Sequence, residues 1–364
     1  MKFICDGLTL TEAVTKVSKA CAVRTTAPIM ECIKLTATLE GISLLATDGE
    51  LSIRKTVKAE VLEEGEICVP GKLFADFTSK LADEEISLAT GERGVEIKYR
   101  DSVSYMQALS AEDFPKINLE IGENSFVMKQ SDLKKIIAET TFCCAQDDSR
   151  PILKGCLMEF DEKLEAVALD GYRLALSSAD ILSKSESGKI VCPARTLTEI
   201  SRMLGDEGEI TLFTQGGMLL VESEGLTVVS RLYQGDFIRK ESVVPKSFTT
   251  VVTLHRTQLA GSAERAAILN RGDKNNLITL EINADGVRMS SASDYGNVSE
   301  VVNATVEGVD LTISMNAKFL LDALRALDEE EIVLSFGGAI SPFILQNKEN
   351  KHSLYLILPV RNAA

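Results

Sequence analysis

Residues 169–176 read LDGYRLAL, with an acid, a glycine, a tyrosine and an arginine within a few positions. The stretch is either the neighbourhood of a catalytic carboxylate or the turn of a hairpin, and the choice decides how the whole chain is read. Asp170-Gly171 lies between two alternating apolar segments, and Asp-Gly supplies the positive φ that a tight turn needs. Catalysis by Asp170 would require a positioned partner, and the sequence offers none. Asp170-Gly171 therefore reads first as a turn.

The same pattern occurs three times. Asp48-Gly49, Asp170-Gly171 and Asp294-Tyr295-Gly296 close three similar segments, with aspartates 122 and 124 residues apart. Each segment has a helix-period opening, a polar loop, an alternating strand, a short turn and a second strand. The stretches after these segments repeat too. GEICVPGKLFADFTSKLADEEISL matches GKIVCPARTLTEISRMLGDEGEITL and DLTISMNAKFLLDALRALDEEEIVL, placing Lys72, Arg195 and Lys318 at intervals of 123. Phe114 and Phe237 are again 123 apart. Agreement of independent spacings along the whole chain is the signature of a repeat architecture. Three domains are expected, at 1–122, 123–247 and 248–364, each with two pseudo-symmetric halves.

Apolar stripes at i, i+3, i+4 spacing mark helices with one buried face: Leu10, Ala13, Val14, Val17 and Cys21; Leu73, Phe74, Phe77 and Leu81; Leu197, Ile200, Met203 and Leu204. Segments such as EISLATGERGVEIKY alternate as strands do. The expectation is an α+β protein of antiparallel sheets with helices laid on one face, two per domain.

Composition excludes much. No apolar run is long enough to span a bilayer. The opening MKFICDGLTL lacks the basic-then-apolar layout of a signal peptide, so a cytoplasmic protein is expected. Eight cysteines include no C-x-x-C pair and have only His255 and His352 as companions, which argues against a zinc site and for small buried thiols. Two histidines at unrelated places make no triad, and no Gly-rich phosphate cradle occurs. Carboxylate clusters such as Glu63-Glu64 and Glu329-Glu330-Glu331 lie at turns and read as solvated loops. No enzyme, metal or cofactor is expected.

The net charge of −15 argues against nucleic acid until the charges are located. Helices expected at 9–24, 71–81, 131–144, 194–204, 255–271 and 317–327 carry 14 basic and 7 acidic residues; the remainder carries 25 basic and 47 acidic. Ordinary amphipathic helices would explain this. So would a body with weakly positive helices (+7) and strongly negative strands and loops (−22), which holds a polyanion near its helices and repels it elsewhere.

Across essentially its whole length the chain resembles the bacterial β sliding clamp family, the beta subunit of DNA polymerase III. The resemblance rests on the opening MKF, Arg24 before TTAPI, RPILKG, LDGYRLAL, RAAIL, NAKFLLDAL, ISPFIL and the late LILPVR, in that order and at the repeat spacing. It implies a non-catalytic processivity subunit, a head-to-tail homodimeric ring around double-stranded DNA with helices lining the hole. The implied partners are the polymerase III catalytic subunit, the clamp loader and other proteins with a clamp-binding motif. A three-domain interaction scaffold that never encircles DNA is the alternative. Carried over by motif, the DNA-facing residues would be Arg24, Lys72, Arg150, Arg195 and Lys318. The partner-peptide pocket, between the second and third domains, would be walled by Leu153, Leu169, Gly171, Tyr172, Arg173 and Leu174. Pro245, Asn316, Phe319, Ile340 and Pro342 would continue it, with Ile357, Leu358, Pro359, Val360 and Arg361 from the last strand. Met106, Ile268 and Leu269 would sit at the dimer interface. The linker QGDFIRKESVVP departs from the family pattern in having no proline directly after Phe237.

Overall fold

The computed structural model describes residues 1–81, 83–119, 122, 124–269, 276–294 and 296–361. Arg271 of the charge count, Tyr295 of the third turn, Glu123 at the expected domain boundary and the terminal Asn362–Ala364 lie outside them.

Six α-helices are present among the described residues: α1 (Gly7–Val17), α2 (Gly71–Thr78), α3 (Gln130–Thr140), α4 (Ala194–Met203), α5 (Arg256–Leu269) and α6 (Ala317–Ala326). All six expected helices exist, mostly shorter than their apolar periodicity suggests. The first ends at Val17 and tightens into a 3-10 turn, Ser18–Ala20, so Arg24 stands in a loop rather than at a helix end. Asp6 starts α1 by accepting the Thr9 amide at 2.9 Å, satisfying one of the donors that a helix start leaves unpaired. Leu10, Ala13, Val14 and Val17 of α1, and Leu197, Ile200, Met203 and Leu204 at α4, are buried as their stripes require. On α2 the stripe is narrower: Phe74 is buried, but Leu73 is 56% exposed and lies on the wet face.

Among the described residues every strand pairing is antiparallel, as expected. The chain forms two compact units. The first holds residues 1–130, 182–186 and 202–232. Its five-stranded sheet runs Glu60–Glu63, Lys2–Asp6, Glu85–Gly91, Gly94–Tyr99, Ser102–Met106. Its nine-stranded sheet places Leu226–Arg231 beside Leu51–Val57 and so joins strands of the first and second repeats. The second unit holds residues 131–181, 187–201 and 233–364. There another nine-stranded sheet pairs Arg173–Asp180 with Ser353–Ile357, joining the second and third repeats. A four-stranded sheet runs Gly296–Val302, Gly286–Ser293, Leu277–Asn283, Leu311–Asn316. The compact units thus divide the chain differently from the sequence repeats, because the sheets run across the repeat boundaries.

All eight cysteines are buried and free. Burial pushes the thiols of Cys21, Cys68 and Cys156 up to about 12 and that of Cys5 to about 11, which makes them poor nucleophiles near neutral pH.

Candidate binding surfaces

In the LDGYRLAL hairpin Leu169 pairs with Leu174, closing a four-residue loop. Asp170 does not itself supply the positive φ: Gly171 does, at 93°, and an added Cβ there would meet open space, so backbone conformation alone calls for glycine. The carboxylate does different work. Its Oδ1 accepts the amides of Tyr172 (2.9 Å) and Arg173 (3.0 Å), and its Oδ2 accepts Arg173 Nε at 3.0 Å. The first repeat builds the same turn, with Asp48 Oδ1 accepting the amides of Glu50 and Leu51 and Gly49 at φ 91°. A carboxylate saturated in this way is an Asx-turn anchor and not a catalyst.

Arg173 finds the partners its burial demands. Nη1 donates to Asp322 of α6 at 2.6 Å and Nη2 to the Phe142 carbonyl at 2.7 Å, while the guanidinium lies 4.6 Å from the Phe319 ring centre. Only 10% of its side chain is exposed. The expected groove-wall residue is in first place a fastener between the middle and last repeats.

Around it the structure brings together most of the expected pocket. Leu153, Leu169 and Leu174 are buried in one apolar cluster with Ile344 and Leu356, against which Val243, Val244 and Leu358 pack partly buried. Tyr172, 65% exposed, stacks on Phe319 at 6.4 Å. Leu358 donates its amide to the Tyr172 carbonyl at 2.9 Å, and Val360 donates to that of Ser314 at 2.8 Å, which holds the late segment in place. Pro245, Pro342, Pro359 and Val360 are half-buried, and Ile340 is exposed by 67% in the turn before Phe343–Asn347. Ile357 is buried between Arg173 and Phe343, so it supports the groove without lining it. Asn316 caps α6 through Oδ1 and the Lys318 amide, 2.9 Å apart. Arg361 is exposed. Sequence reasoning missed Ile344, Leu356, Phe142 and Asp322. The alternation of SLYLI marks Leu356 as one face of a strand, but no local signal marks the others.

In the same compact unit Glu139 (α3), Asp328 and His352 bring one ligand atom each within 4.8 Å of one another. The Lys135 ammonium, 2.8 Å from Asp328 and 3.8 Å from Glu139, is already their counter-ion, and His352 Nε2 lies 3.0 Å from Glu139. The cluster ties α3 to the last repeat.

Lys72, Arg195 and Lys318 are each the second residue of α2, α4 and α6, and all three are exposed or half-buried at the helix surface. A cation in the first turn opposes the helix dipole and costs about 0.3–1 kcal/mol, so helix stability does not account for a threefold occurrence. Arg24 and Arg150 are exposed in loops preceding the Pro28–Glu31 and Pro151–Lys154 turns.

Of the expected interface residues, Met106 is only 7% exposed and packs inside its own unit, whereas Ile268 is 56% exposed at the end of α5, with Leu269 beside it. The exposed apolar groups on the Ser102–Met106 edge are Val103 (49%) and Tyr105 (63%), and Val301 (59%) stands on the Gly296–Val302 edge. That second edge is fastened to α5: Glu300 accepts Arg265 Nε at 2.7 Å, Arg265 Nη2 at 2.6 Å and Ser262 Oγ at 2.7 Å. The Arg265 bonds, with that of Ser262, pull the Glu300 carboxyl down to about 2. A depressed carboxylate stabilises the fold above its ordinary value and loses that contribution as the pH falls through the folded value. The edge should therefore hold at about pH 5 and loosen between about pH 4.5 and 2. Amide protection along Gly296–Val302, taken relative to the exchange intrinsic to each pH, that stays unchanged over that range would contradict this.

Three family models cover nearly the whole chain: DNA polymerase III beta subunit N-terminal domain over residues 1–119, central domain over 127–238 and C-terminal domain over 241–361. The beta sliding clamp of Halalkalibacterium halodurans is 31% identical over 378 residues, covering 99% of this chain and 100% of the relative. That of Staphylococcus aureus is 31% identical and covers 94% of each. Among solved structures, the DNA polymerase sliding clamp of Bacillus subtilis superposes with a TM-score of 0.95 at 28% identity over 100% of both chains. A putative DNA polymerase III beta subunit from Eubacterium rectale does so with 0.93 at 31% identity over 99% of both.

Proposed function

The chain belongs to the DNA polymerase III beta subunit family, the beta sliding clamps, and from that premise we propose that it closes into a head-to-tail homodimeric ring around double-stranded DNA. It is a processivity clamp of three-domain clamp fold and has no chemistry of its own. The domains are taken as 1–122, 123–247 and 248–364, following the repeats.

The observation that carries the ring is the pattern of strand pairing. Each seam within the chain joins the second half of one repeat to the first half of the repeat before it: Leu226–Arg231 to Leu51–Val57, and Ser353–Ile357 to Arg173–Asp180. Two equivalent strands are left at the ends of their sheets, Ser102–Met106 and Gly296–Val302. A third seam of the same kind joins the first repeat of one copy to the last repeat of another. Two copies then close without a free partner edge, and the exposed Val103, Tyr105, Val301 and Ile268 are covered. Light scattering should give twice the 39.5 kDa chain mass at micromolar concentration. A stable monomer would contradict the ring.

Lys72, Arg195 and Lys318, with Arg24 and Arg150, are assigned to the DNA. They touch phosphates only, because a clamp that slides cannot read bases. The apolar surface around Tyr172, Leu174 and Leu358 is assigned to a short linear peptide of a partner: the polymerase III catalytic subunit, the clamp loader or another protein with the motif. The setting is the cytoplasm; among the described residues no helix is long and apolar enough to cross a membrane.

A further inference from the structure

A cavity of about 580 Å³ lies within the first compact unit, where the first and second repeats meet. Its position in the repeat is that of the peptide groove. In the groove, Leu174 pairs with Leu356 and the Leu358 amide binds the Tyr172 carbonyl at 2.9 Å. In the cavity, Ser52 pairs with Val229 and the Arg231 amide binds the Glu50 carbonyl, also at 2.9 Å. The registers make Thr47 the counterpart of Leu169, Glu50 of Tyr172, Ser52 of Leu174 and Arg231 of Leu358.

The frame is kept and its chemistry is exchanged. Apolar groove positions have become hydroxyls, with Ser52 Oγ donating to Thr47 Oγ1 at 2.8 Å, and charged groups, Glu50 and Arg231. Lys116 joins Arg231 on the wall, so among the described lining residues there are two cations and one carboxylate, in a chain whose net charge is −15. Leu220 and Val229 keep part of the lining apolar. The size falls within the range of pockets that hold drug-sized ligands, enough for a few side chains of a bound segment.

We propose that this cavity is a second linear-segment site, which takes an extended acidic peptide with one apolar side chain. Carboxylates meet Arg231 and Lys116 in charge-assisted hydrogen bonds, and the apolar side chain meets Leu220 and Val229. The analogy of shape rests on the peptide-groove reading; the charge complementarity does not.

Two labelled probes separate the sites by fluorescence anisotropy at low salt: an acidic one, Asp-Glu-Leu-Asp-Glu, and its amide analogue, Asn-Gln-Leu-Asn-Gln. Wild-type protein should bind the acidic probe saturably and the amide probe at least tenfold more weakly. Lys116→Glu with Arg231→Glu should lose at least tenfold for the acidic probe, and the milder Lys116→Gln with Arg231→Gln should lose in the same direction, each with an unchanged thermal melt. Tyr172→Ala, in the groove, should leave acidic-probe binding intact. A third probe without acidic groups, Gly-Leu-Ser-Leu-Phe, is matched to the apolar cluster of the groove and is expected to weaken with Tyr172→Ala; its indifference to that substitution would overturn the groove reading and leave the cavity proposal standing. No saturable acidic binding, equal binding of the amide probe, no loss in either double variant, or loss in Tyr172→Ala would each overturn the cavity proposal.

Discussion

Replacing Arg173 with alanine should lower the unfolding free energy by about 3–5 kcal/mol, the cost of breaking a buried ion group while leaving its other members in place. The substitution removes the side-chain donor to Asp170 Oδ2, Asp322 and the Phe142 carbonyl at once, leaving Asp170 only its two backbone donors. It also uncovers the Phe319 ring face. Arg173→Lys should recover only part of the loss, because an ammonium cannot present a fork to three acceptors in different directions. Urea titration of the intact chain checks both; a loss below about 1 kcal/mol, the range of an exposed pair, would mean that Arg173 is not the fastener described.

Removing Leu358–Ala364 should abolish binding of a clamp-binding linear peptide. Leu358 packs on the apolar cluster of the groove, and its amide holds the Tyr172 carbonyl. Without the segment one wall goes, and the Tyr172 and Ser314 carbonyls lose their donors. Peptides of this kind are held by a few buried side chains, so truncating a single anchor costs about 1–4 kcal/mol and losing a wall exceeds that. The strand Ser353–Ile357 remains paired on both sides, so the fold has what it needs to survive the deletion. Normal peptide affinity in a folded truncated protein would remove the groove from this place.

The repeat is fully legible in the sequence because its markers are local. An Asp-Gly turn, an alternating strand and an amphipathic helix each declare themselves within about ten residues, and recurrence near 123 multiplies the signal. The basic second positions of α2, α4 and α6 emerge from the same spacing. The features that stay hidden depend on non-local contacts. Nothing in LSIRKTV announces that it pairs with LTVVSR far along the chain, so the seams and the two compact units have no local marker. Apolar character alone does not separate core from edge: Leu73 reads as part of a buried helix stripe and is exposed, while Met106, which the resemblance gives to the interface, is buried. Arg173 announces only that it needs partners; Asp322 and the Phe142 carbonyl are supplied by elements remote in sequence.

The proposed ring makes attachment to DNA topological. A chain of net charge −15 with a few cations at helix starts should bind phosphates weakly, so the proposed closed ring and not affinity would keep it in place. The direct measurement is retention on a nicked circular duplex, loaded and then cut once to make it linear, read by gel filtration at physiological salt. Protein that stays with the circle and is lost on linearisation is the predicted result. Equal retention on circle and line would contradict encirclement and favour a scaffold that never surrounds DNA.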